Sequence, residues 1–67
     1  MKFYILVKNE KYGEIKSENY NTEPVNFEIV RDEILNNNTI DFFDEDGNFV
    51  VLPETTYKES IIYLIKI

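Results

Sequence analysis

No cysteine and no histidine occur in this chain of 67 residues. The first absence excludes a disulfide framework, a thiolate metal site and a cysteine nucleophile. The second removes the commonest general base, the usual activating partner of a nucleophile and the commonest zinc ligand. Acid and base chemistry would fall to carboxylates, lysine or tyrosine. Glycine is nearly as scarce: Gly13 and Gly47 are too far apart to share one phosphate-cradling loop, which excludes the Walker and dinucleotide-binding arrangements and the nucleotide cofactors they hold. Long hydrophobic runs are missing as well. The N-terminal run Phe3 to Val7 is closed by Lys8, too short for a signal-peptide core and far short of the roughly 20 residues of a membrane span. The expectation is a soluble, cytoplasmic chain with no membrane partner.

What is present points to a folded body. Hydrophobic residues make up 43% of the chain and aromatics 15%, which is too apolar for the low-hydrophobicity, high-charge signature of disorder. The length allows a single domain, residues 1–67, with one small core.

The ends read as strands. From Lys2 to Lys8 both alternating sets are apolar, Phe3, Ile5 and Val7 against Tyr4 and Leu6, and Ile61 to Ile67 repeats the pattern. Such strands are covered on both faces and suit the centre of a sheet, where they can pair with each other. Asn9 to Gly13 has turn composition, so Tyr12 to Lys16 should return as a hairpin. Ser17 to Pro24 is polar and reads as a loop.

Thr39 to Pro53 carries the clearest local signal: two apolar runs flank Asp44, Glu45, Asp46, Gly47 and Asn48. A two-residue Asp46-Gly47 turn would mix charged and apolar groups on both faces. A three-residue loop of Glu45, Asp46 and Gly47, with Gly47 in the left-handed conformation, pairs Ile40 with Leu52 and Phe42 with Val50 on one apolar face. It sets Phe43 beside Phe49 on the other. The second register is expected because a face that is wholly apolar fixes the pairing.

Val25 to Leu35 fits two patterns. As a helix it offers Pro24 near the first turn, a stripe of Phe27, Val30 and Ile34, and an asparagine run to end it. As a strand, Val25, Phe27 and Ile29 alternate cleanly with Asn26 and Glu28, and this reading is preferred. The expected fold is mostly β, an antiparallel sheet of five or six strands curled into a partial barrel. The alternative is α+β, with one helix at about 24–36 packed on an antiparallel sheet. The order of a strand, a short polar connection, Phe-Phe-Asp-Glu-Asp-Gly-Asn-Phe-Val-Val-Leu-Pro and a final apolar strand is similar to many short proteins of phages and mobile elements in low-GC bacteria. The lysine, asparagine and isoleucine bias points the same way. The resemblance covers about the last 40 residues and implies no particular activity.

The charge is −6 overall and unevenly placed: residues 1–17 carry +2 and residues 58–67 carry +1, whereas residues 18–57 carry ten acids against Arg31 alone. Calcium is the first hypothesis for Asp41, Asp44, Glu45 and Asp46, but with Gly47 at the invariant glycine of an EF-hand loop, Phe42 occupies the first ligand position and Pro53 the last. No metal or cofactor is expected. Catalysis by paired carboxylates needs a desolvated cleft that so small a body rarely offers. A negative exterior repels nucleic acid and attracts basic proteins. The sequence thus suggests a non-enzymatic interaction module, an acidic phage or mobile-element inhibitor that binds a basic host protein, by mimicry of nucleic acid or otherwise. Asp41, Phe43, Asp44, Glu45 and Asp46 are its candidate contact residues. The alternatives are a structural or accessory subunit acting as a homo-oligomer, and a protein that sequesters a small ligand. All five tyrosines, Tyr4, Tyr12, Tyr20, Tyr57 and Tyr63, combine large area with a polar tip and suit an interface.

Overall fold

The structure, a computed structural model, describes residues 1–23, 26–37 and 40–67. Its strands are β1 (Lys2–Asn9), β2 (Gly13–Ser17), β3 (Tyr20–Asn21), β4 (Phe42–Phe43), β5 (Phe49–Val50) and β6 (Ile61–Lys66). Helix α1 spans Phe27–Asp32 and runs on into a π turn at Glu33–Asn37; α2 spans Glu54–Lys58. All strand pairings are antiparallel. From one edge to the other the order is β6, β1, then β2 with β3 as its continuation, β4 and β5. The fold is therefore mostly β, as expected, and its six-stranded sheet is not closed, in loose agreement with the partial barrel expected.

The two terminal strands pair along their length, from Phe3 opposite Lys66 to Lys8 opposite Ile61. Pairing the first strand with the last makes β1 central. The β1–β2 turn is held by Asn9, whose Oδ1 accepts from the amides of Lys11 at 2.9 Å and Tyr12 at 3.2 Å. The same side chain reaches across the chain, its Nδ2 donating to the Ser60 hydroxyl at 2.9 Å, and so ties the hairpin to the start of β6.

Ser17 to Pro24, expected as a loop, contains β3. Between the pairs Leu6–Lys16 and Phe3–Tyr20, two residues of β1 face three on the other side, Ser17, Glu18 and Asn19. This is a β-bulge, and it removes the carbonyl that the Ile5 amide would have met. The Ser17 hydroxyl takes its place, accepting from Ile5 N–H at 2.8 Å and donating to the Glu18 carbonyl at 2.9 Å. A short polar stretch thus continues the ladder, with Thr22 and Met1 exchanging two further backbone bonds.

The expected three-residue hairpin loop is present. Phe42 pairs with Val50 and Phe43 with Phe49, and Gly47 sits at φ +83°.

The strand preferred at Val25 to Leu35 is corrected: the described part is helical. Asn26 caps α1 by accepting from the Glu28 amide at 2.9 Å, satisfying a donor left free in the first turn. Val30 and Ile34, one turn apart, are buried, whereas Ile29 stays 59% exposed. The helix closes its backbone bonds within itself while laying one stripe over the sheet, whereas a strand would have needed a free sheet edge to pair with. Pro24 and Val25 of this segment lie outside the described residues, as do Asn38 and Thr39 beyond it. Asn36 and Asn37, from the asparagine run that was to end the helix, belong to the π turn.

The core lies between this helical layer and one face of the sheet. Phe3, Ile5 and Val7 of β1, Ile15 of β2 and Phe42 of β4 meet Val30, Ile34, Leu52 and Tyr57. Sequence patterning missed α2, and with it the place of Tyr57. Far from being an interface residue, Tyr57 is 2% exposed and its ring packs 5.6 Å from that of Phe42.

Candidate interaction surface

Alternation along β1 sends Phe3, Ile5 and Val7 into the core and so turns Tyr4, Leu6 and Lys8 to the opposite face. Residues directly opposed in neighbouring strands share a face. Leu6 lies opposite Tyr63 of β6 and opposite Lys16 of β2. Lys16 lies opposite Phe43, and Phe43 opposite Phe49. Five strands therefore present Tyr63, Leu6, Lys16, Phe43 and Phe49 as one row, on the face turned away from the helical layer.

Leu6 is only 9% exposed, although it points away from the core packed under the helices. Beside it on this face the Lys8 ammonium sits 5.6 Å over the Tyr63 ring and that of Lys16 5.7 Å over Tyr4. Lysine stems lie along apolar surface while their charged heads stay wet. Such a cover is easily displaced, because exposed lysine contacts of this kind contribute only about 0.5–1 kcal/mol. At the far end of the row no lysine ammonium stacks on the Phe43 or Phe49 ring among the described residues. There Phe43 and Phe49 meet edge to face at 6.0 Å, and Phe49 is 59% exposed.

The acidic residues singled out in the sequence fall into two groups. Phe43, Asp44, Glu45 and Asp46 lie together at the β4–β5 hairpin. Asp44 is committed to the turn itself: its Oδ1 accepts from the amides of Asp46 at 2.9 Å and Asn48 at 2.8 Å, and its Oδ2 from Asn48 Nδ2 at 3.3 Å. These bonds, led by the Asn48 amide, hold the Asp44 carboxyl below its ordinary pKa and keep it ionised. Glu45 and Asp46 are exposed at the tip. Asp44 and Glu45 also meet Glu14 and Lys16 around a depression of about 260 Å³. Asp41 acts elsewhere. Burial raises the Tyr20 phenol, and the charges of Glu18, Asp41 and Glu33 raise it further. Tyr20 and Glu33 line a cleft of about 340 Å³ between the core face of the sheet and α1, with Phe3, Ile29 and Val30.

No protein-family model, curated protein or solved structure matches this chain. What the surface can do follows from its own residues. The sequence pointed to Phe43 and the acids around it, with Phe49 as a neighbour, but not to Tyr4, Leu6 and Lys16. The signal for Phe49 was present, since the three-residue loop sets it beside Phe43. Lys16 and Leu6 were beyond reach, because their place in the row depends on the β2–β4 pairing, which no local pattern encodes. Among the described residues no group of acids converges closely enough to hold a metal ion, and no helix is long and apolar enough to cross a membrane.

Proposed function

We propose that this chain is a non-enzymatic protein-interaction module that docks a basic protein through the β4–β5 hairpin and the adjoining open face of the sheet. The observation that carries the reading is the Phe43–Phe49 pair, with Phe49 exposed and Phe43 half-buried beside it, bordered by Asp44, Glu45 and Asp46. An aromatic anchor ringed by charge is the arrangement in which a few residues supply most of a binding energy. The rim of carboxylates supplies the sign preference and speeds encounter with a positive surface. Its finer form is an inhibitor encoded by a phage or mobile element, whose carboxylates stand where a host protein expects phosphates. Binding is favoured over catalysis by the cleft under α1, whose described lining offers the carboxylate of Glu33 beside a phenol that burial makes a weaker acid.

The test is affinity capture from a bacterial lysate at low salt, repeated with Phe49→Ser and with the double variant E45K/D46K. A protein bound specifically through this site is lost from both variants, with a drop of roughly 30-fold or more for an anchor worth about 2 kcal/mol. Its retention falls steeply as salt rises. A partner that both variants capture as well as the parent, or that high salt leaves in place, refutes the reading.

A further inference from the structure

We infer that two copies of this chain join through the outer edge of β6, in antiparallel register centred on Leu64, so that two sheets become one. The inference is independent of the docking role given to the hairpin. It begins with the backbone. The Ile67 amide donates to the Lys2 carbonyl at 2.9 Å, so the main-chain groups of Ile67, and by alternation those of Ile65, Tyr63 and Ile61, point toward β1. Those of Ile62, Leu64 and Lys66 point the other way, and among the described residues no strand pairs with them.

Proteins blunt such edges with very short strands, prolines, bulges or charge. The opposite edge of this sheet is blunted: β5 is two residues long and Pro53 follows soon after. The β6 edge is six residues long and carries one charge, Lys66. Its exposed side chains are apolar, with Ile61 and Ile67 about three-fifths exposed and Tyr63 about two-fifths.

A second copy fits this edge by its own symmetry. A two-fold axis through Leu64 sets Leu64 against Leu64 of the second copy and Ile62 against Lys66, and these pairs use every outward backbone group of the strand. The same register sets Tyr63 against Ile65 and Ile61 against Ile67, giving each exposed apolar residue an apolar partner on its own face. No like charges meet, because each Lys66 faces an isoleucine. Residues 58–67 carry +1 in a chain of −6, so the joint falls where repulsion between two acidic bodies is least. The joined sheet would hold both Phe43–Phe49 pairs on one side, giving a two-site binding surface.

Sedimentation velocity of the wild-type chain across a concentration series tests the joint, with circular dichroism as the check on folding. The expected result is a reversible dimer. The variant I61K/I67K sets two introduced lysines opposite each other at both ends of the joint and is expected to sediment as a folded monomer. The variant I61K/I67E sets lysine opposite glutamate and is expected to dimerise again. Within one chain the two positions lie at opposite ends of the strand and do not meet. A wild-type chain that stays monomeric at every concentration overturns the inference, even if β6 then pairs with a foreign strand. Dimers that persist in both variants, or a charge-swapped variant that is not rescued, overturn the register.

Discussion

The Ser17 hydroxyl accepts the Ile5 amide at 2.8 Å and stands in for the main-chain carbonyl displaced by the bulge between β2 and β3. Both groups are buried. Ser17→Ala leaves the Ile5 amide without an acceptor, and an orphaned buried donor costs about 1–3 kcal/mol. Chemical denaturation is expected to show a loss in that range, and hydrogen exchange at the Ile5 amide should accelerate relative to Val7. An unchanged midpoint would mean that a carbonyl or water takes over the bond.

Gly47 stands at φ +83°, with no heavy atom within 4 Å of the place a Cβ would occupy. A side chain there meets open space, so the cost of Gly47→Ala is that of the backbone alone, about 1–2 kcal/mol. Gly47→Asn should cost less, since asparagine tolerates the left-handed region better. The denaturation midpoints of the two variants check the order. Equal losses would point to a contact at the loop tip.

Asp44 titrates below its ordinary value of 3.8 because the folded turn favours its charged form, chiefly through the Asn48 amide. A depressed carboxyl contributes stability that is complete above the unfolded value and is lost as pH falls through the folded one. The hairpin should therefore loosen only on acidification below about pH 4. In Asp44→Asn that acid dependence should shrink, which thermal melts at pH 7 and pH 3 would reveal as a smaller difference than in the parent.

Tyr20 and Tyr57 both titrate above the ordinary 10.0, in each case first because of burial. A phenol raised by folding keeps its stabilising share below the unfolded value and loses it as pH climbs through the folded one. Phenolate absorbance from Tyr20 and Tyr57 should therefore develop only above the ordinary value of 10.0, with unfolding accompanying it. Glu33→Gln removes one of the charges that raise Tyr20 and should bring its titration earlier without moving that of Tyr57.

Much of the candidate site was legible before the fold was known, and the reason is local. The loop of Glu45, Asp46 and Gly47 follows from one residue that accepts a positive φ and from the demand for one apolar hairpin face, and it carries Phe43 to the side of Phe49. What the sequence concealed was commitment. Asp44 looks like its neighbours Glu45 and Asp46, yet its oxygens are taken up by three bonds inside the turn, whereas the tip acids are exposed.

By itself the chain determined its terminal strands, the hairpin register and the separation of charge between its ends and its middle, because alternation and turn chemistry act over a few residues. Only the tertiary structure decided that Phe27–Asp32 is a helix, that Tyr57 belongs to the core, that Ser17 repairs a bulge and that one face of the sheet stays open. Each of these depends on which surface remains uncovered once distant strands have paired. A segment that closes its own hydrogen bonds can serve as that cover, whereas a strand needs a neighbour already in place.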